Sequence, residues 1–372
     1  ASYNTAVGRY AAGLNTTGSG ITAVGHQALY SNTTGTANVA VGGYDSASAT
    51  FAPLYYNTTG SNNVGLGVGA LRSNTTSSNN TAVGYQAAYS HTTGAGITVF
   101  GRYAGRDNTT GDEITGLGIN ALMSNSTGGY NTAVGSNALV SNTTASNSTA
   151  VGYQAAYSNT TGAQVTAFGA AALFSNTTGN YNTALGSGAM FSNTTASDNV
   201  AVGLNALYYN TTGTQITALG RSALQSNSTG SANTAVGYLS GFSNTIGTIT
   251  SLGAYVLYAN TTGTSNTAVG GYDGSTSAAL RFNTTGSANT AVGVGSLQAN
   301  TTAANNTAVG YRAGFANTTG TVVAFGYKAA ENSTTAFENT ALGLVALQAN
   351  TTGGYNTAVG SRALVGNTTA TY

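Results

Sequence analysis

The sequence predicts an all-β fold, a single parallel β-solenoid (β-roll or β-helix) of about 21 coils of about 17 residues each. Three observations predict it. A short unit, clearest as N-T-A-V-G-x-x-A-L-Y-S-N-T-T-G-x-x, recurs from end to end, and sixteen of the twenty intervals between its A-V-G glycines (Gly8, Gly25, Gly42 and on to Gly360) equal the step from Gly8 to Gly25. A short fixed period means that each unit stacks on its neighbour and none folds alone. Thr and Val, which favour strands, alternate with small residues at the head of the unit. Gly, Asn and Thr fill every window that a helix would need, which excludes a helical repeat.

The unit is numbered so that the marker glycine is position 5. Positions 1 to 4 read as a strand with positions 2 and 4 turned inward, because position 4 is apolar in all 21 units, from Val7 to Val359. Gly at position 5 bends the chain or admits another backbone. Positions 8 to 11, as in Ala28-Leu29-Tyr30-Ser31, read as a second strand, with Tyr30, Tyr89 and Tyr157 in one column at position 10. N-T-T-G then makes a turn. Position 1 is usually Asn but is Ile or Val at Ile21, Ile97, Ile114, Val165, Ile216, Ile249 and Val322. This column faces either the core or a neighbouring chain. Twenty-one coils at about 4.8 Å each make a rod on the order of 100 Å long.

The repeat makes residues 1–372 one continuous solenoid domain with loop insertions at about 43–56 and 271–282. Both insertions begin Gly-Gly-Tyr-Asp (Gly42 to Asp45; Gly270 to Asp273), and the one proline, Pro53, lies in the first. They read as lateral or receptor contacts, or as tolerated bulges with Asp capping the turn.

Only 5% of residues are charged and the net charge is +1, against roughly 25% charged residues in ordinary soluble domains. That leaves no basic field for nucleic acid. No apolar run of about 20 residues predicts membrane insertion. Cysteine is absent, which excludes disulfides and thiolate metal sites.

Nineteen units carry an N-x-[ST] sequon at the turn: Asn15, Asn32, Asn57, Asn74, Asn108, Asn125, Asn142, Asn159, Asn176, Asn193, Asn210, Asn227, Asn260, Asn283, Asn300, Asn317, Asn332, Asn350 and Asn367. The exceptions are His91 and Asn244, and Asn332 sits one position early. These asparagines are candidate acceptors for covalent glycans. The threonines of the turn, such as Thr33 and Thr34, are candidates for O-linked sugar instead or as well. Turn chemistry with Asn and Thr ladders is the unmodified alternative.

No catalytic, cofactor or metal site is expected. The eight acids (Asp45, Asp107, Asp112, Glu113, Asp198, Asp273, Glu331, Glu338) are scattered, as are His26 and His91. Glycoside hydrolysis needs two convergent carboxylates and a nucleophile triad needs a His with an orienting acid.

The strings Asn80 to Ala87 (N-T-A-V-G-Y-Q-A) and Ser31 to Gly35 (S-N-T-T-G) resemble repeats of bacterial and phage surface fibres. T-A-V-G in particular resembles the strand of trimeric autotransporter adhesin heads. The resemblance implies a left-handed β-roll at the cell surface or outside the cell. The expected function is a structural subunit of an extracellular filament that stacks head to tail on itself, with a glycosylated turn on nearly every coil. The alternative is a trimeric adhesin head or phage tail-fibre segment, with the position-1 Ile/Val column buried between three chains. An ice-binding or surface-templating solenoid is a third reading, from its Thr-rich turns.

Overall fold

A computed structural model describes residues 2–44, 51–274 and 277–371 of the chain. The fold is an all-β solenoid whose strands recur about 17 residues apart. It has 21 strands of three or four residues and no helix among the described residues. The chain divides into two compact units, 1–184 and 185–372. In the first, β1 (Thr5–Val7) through β10 (Thr166–Phe168) pair in parallel, each with the next in sequence. In the second, β12 (Val200–Val202) through β21 (Thr357–Val359) do the same. Register follows the repeat: Thr132 pairs with Thr149, Ala133 with Ala150 and Val134 with Val151.

The inward row is position 3, not positions 2 and 4. Ala23, Ala82, Ala133 and Ala218 are fully buried, whereas Phe100, Phe168 and Leu342 at position 4 are 42–49% exposed. The interior holds little more than a methyl group in this row. Two coils depart: Ser251 brings a buried hydroxyl that accepts from Ser240 Oγ at 2.8 Å, and Val99 is larger still, with glycines making the room. A Cβ on Gly105 or Gly116 would lie 3.1 or 3.2 Å from Val99 Cγ1. The apolar ladder at position 4 therefore runs along the outside.

Positions 8 to 11 form no strand. They belong to a turn in which positions 7 and 9 take positive φ: Gln27 62°, Leu29 54°, Asn137 58°, Leu139 49°. Leucine is uncommon in the left-handed region and a β-branched residue there is a true outlier. Position 9 is Leu, Ala, Gly or Met in every coil. Alternating conformations aim successive N–H groups at the next coil and at the turn itself, as in Leu139 N to Ala155 O (3.0 Å) and Ala138 N to Gly135 O (3.3 Å). Position 5 is restricted further. Gly135 has φ 131°, and a Cβ there would lie 2.5 Å from Gly152 O of the next coil.

The position-1 column faces the core. Its seven Ile and Val residues are at most 2% exposed within this single chain. Their placement follows side-chain volume. Ala12, Ala88, Gly105, Ala156, Gly241 and Gly314 at position 9 precede Ile21, Ile97, Ile114, Val165, Ile249 and Val322 at the next position 1. Where position 9 is Leu or Met, the following position 1 is Asn or Ser, except Leu207 before Ile216; Ala330 before Asn339 is the other departure. One bulky apolar group from the pair fills the corner, as close packing demands.

The first insertion closes sooner than its sequence suggests. Pro53 already occupies position 8, its carbonyl accepting from Leu29 N at 3.1 Å. Asp45 lies outside the described residues, as do 46–50 and 275–276. In the second insertion Asp273 Oδ1 accepts from Ser277 N at 3.4 Å, the capping contact, and the coil resumes with Ala279 N on Gly270 O. The aromatic column at position 10 stacks as its register requires: Tyr30 on Tyr55 and Tyr157 on Phe174, with centroids 5.3 and 5.0 Å apart.

Candidate functional site at the N-T-T-G turn

The turn places its three polar side chains in three environments. The asparagine points inward. Sixteen of the nineteen sequon asparagines, Asn32 through Asn317 and Asn350 among them, are 0% exposed; Asn15, Asn332 and Asn367 are not buried. The amide of Asn125 donates to Asn108 Oδ1 (2.7 Å) and to Gly128 O of its own turn (2.8 Å). Asn142 repeats this on Asn125 Oδ1 (2.6 Å) and Ala145 O (3.1 Å). In the second unit Asn210, Asn227, Asn260, Asn283 and Asn300 do the same on the preceding asparagine. Both amide hydrogens are thus committed, and the row is a directional ladder inside the coil. A second row lies beside it at position 1, where Asn131 donates to Ala145 O (2.7 Å) and accepts from Ser148 N (3.0 Å).

The first threonine is half-buried and binds along the coil axis. Thr109 Oγ1 donates to Ser126 O, Ser126 Oγ to Thr143 O and Thr143 Oγ1 to Thr160 O, at 2.9, 2.9 and 3.0 Å. The second threonine is exposed wherever it occurs. Its N–H reaches the same carbonyl as the first, as in Thr34 N to Thr58 O at 3.2 Å. Among the described residues its hydroxyl has no protein partner. Twenty coils have Thr at this seat, and one has Ile246.

Two substituted seats break the asparagine ladder, and a third gap follows Asn350, whose Oδ1 is also buried without a partner. His91 takes one: its Nε2 bonds Gly94 O, and its Nδ1 accepts from Asn108 Nδ2 at 3.0 Å. That fixes the neutral ring, which has no donor left for the preceding coil, and Asn74 Oδ1 is buried without a partner. Burial pushes the ring below the usual imidazole value, opposed by the Gly94 bond and the Asp112 charge. Ser333 takes the other seat. Its side chain is too short, and Ser333 Oγ and Asn317 Oδ1 are both buried without partners. The sequon one position early, Asn332, is accordingly exposed. Asn244, in the coil without a sequon, keeps the ladder, donating to Asn227 Oδ1 at 3.2 Å.

Three further N-x-T sequons span positions 17 to 2: Asn79-Asn80-Thr81, Asn147-Ser148-Thr149 and Asn305-Asn306-Thr307. Their first asparagines are exposed, with φ of 59–64°. The N-x-T spacing is the sequence signal that marks them.

The scattered acids serve local contacts. Asp107 pairs with Arg106 at 2.6 Å, Glu331 with Arg312 at 3.0 Å and Lys328 at 3.5 Å, and Asp112 caps Ala95 N at 2.8 Å. No group of three metal-ligating side chains occurs among the described residues. A shallow notch of about 250 Å³, lined by Asn305, Thr321, Val323 and Glu338, marks a coil that is one residue short. No protein-family model matches this chain, and no curated protein or solved structure resembles it closely enough to count as a relative.

Proposed function

We propose that this chain is a structural segment of a fibre outside the cell or on its surface, extended by adding coils and carrying sugar on its N-T-T-G turns. The supporting observation is the outward row of second-turn threonine hydroxyls, one on all but one coil, on a scaffold that bonds coil to coil through the backbone. With 5% charged residues, the surface needs a neutral solubilising layer, and attached saccharide is one. A second copy that presents the same strand edge can add to the first by the same parallel bonding. Electron microscopy of the native material, with its intact mass, tests the reading. Fibres whose subunits weigh more than their own polypeptide are expected. Isolated monomers with no added mass overturn it.

A second reading, the trimeric adhesin head or phage tail-fibre segment, is favoured by a different observation. The Ile and Val side chains of position 1 lie in the core, but the position-4 row is half-buried to exposed, uncharged and continuous within each unit. Exposed apolar patches of this kind mark contact surfaces. Crosslinking that stops at three chains supports this reading, and a ladder extending past three supports the fibre.

A further inference from the structure

We infer that the sugar acceptor is the hydroxyl of the second threonine in the turn, the Oγ1 of Thr34, Thr127, Thr212 and their equivalents, and that the buried asparagine of the same turn is excluded. The assignment rests on the reading of the turn as sugar-bearing and names the atom that bears it.

The three side chains differ in what a bond to sugar would displace. A glycan on Asn125 replaces an N–H that holds Asn108 Oδ1 or Gly128 O and drives a polar ring into a column that is 0% exposed. A glycan on Ser126 removes the donor to Thr143 O. A glycan on Thr127 removes no hydrogen bond and projects into solvent. Packing does not explain the constancy of this seat. The neighbouring exposed position 17 varies freely, from Glu113 to Tyr130, Asn147 and Gln164.

The chemical class is a neutral saccharide. Coils repeat at about 4.8 Å, so a row of phosphates would set like charges side by side at that spacing. In the transfer, threonine Oγ1 attacks the anomeric carbon of a nucleoside-diphosphate sugar. The carbon–oxygen bond to the diphosphate breaks, and the diphosphate leaves with the electron pair. The hydroxyl proton passes to a base on the transferase.

Site mapping of the native chain by electron-transfer fragmentation is the test. Saccharide mass on Thr34, Thr127 or Thr212, with none on Asn32 or Asn125, is expected. The coil containing Ile246 serves as an internal control and is expected to carry none at this seat. Sugar found on Asn125 or Ser126 overturns the assignment while leaving the turn sugar-bearing. A chain at its bare mass overturns both. In the expressing organism, Thr127→Val is expected to remove one saccharide and Ser126→Ala to remove none. The reverse result assigns the acceptor to the first hydroxyl and sinks the inference.

Discussion

Asn125 donates its side-chain amide to the side-chain oxygen of Asn108 one coil earlier, at 2.7 Å, while its other hydrogen closes its own turn on Gly128 O. The residue that reads as a glycan acceptor is a core residue of the coil, and its two hydrogen bonds bind one coil to the next.

Asn125→Ala therefore leaves Asn108 Oδ1, Gly128 O and the amide of Asn142 short of a buried partner. Each such group costs about 1–3 kcal/mol. A clear fall in the denaturant midpoint is expected, and Thr127→Ala, on the exposed seat, is expected to move it by less than about 0.5 kcal/mol. Equal effects would contradict the ladder.

His91→Asn restores the missing donor to Asn74 Oδ1 and is expected to stabilise the chain by about 1 kcal/mol at neutral pH. Folding holds the His91 pKa below its ordinary 6.5, so between the two values the unfolded chain binds more protons. Stability is then full above about pH 6.5 and falls as pH drops from there to the folded pKa. Asp112, the nearby charge, opposes the shift. Denaturant curves at pH 7.5 and 5 are expected to diverge between wild type and variant. Parallel curves would remove His91 as the cause.

Gly314→Leu forces a second bulky group into a corner already filled by Val322, whose Cγ1 lies 3.4 Å from where a Cβ on Gly314 would sit. Overpacking of this kind costs about 1–3 kcal/mol. Adding Val322→Asn recreates the pairing of Leu297 with Asn306 one coil earlier, and at least about 1 kcal/mol is expected to return. A double-mutant cycle reads the coupling. Strict additivity would refute the volume rule.

Val134→Lys tests the outward row. The side chain is half-buried at the surface, so stability is expected to change by no more than about 0.5 kcal/mol. If chains pack side by side on this face, the variant sediments as a smaller species than wild type. Unfolding of the variant would place position 4 back in the core.

Much was legible in the sequence because the period is covalent information. The spacing of the coils, the strand at T-A-V and the glycine of position 5 follow from residue order and backbone sterics. Gly135 at φ 131° is a position that a side chain could not share with the next coil. The direction of each row was not legible. Hydrophobicity places Val134 inside and Asn125 in a solvated turn, and the tertiary structure reverses both. The coil is too narrow for valine where Ala133 sits. The left-handed backbone at Asn137 and Leu139 turns the chain back so that leucine fills the interior instead. Stacking at one coil's spacing then places a partner directly beneath a buried asparagine. For Asn125 that partner is Asn108, one full coil away along the chain. Only the stacked coil makes burying the amide cheaper than exposing it.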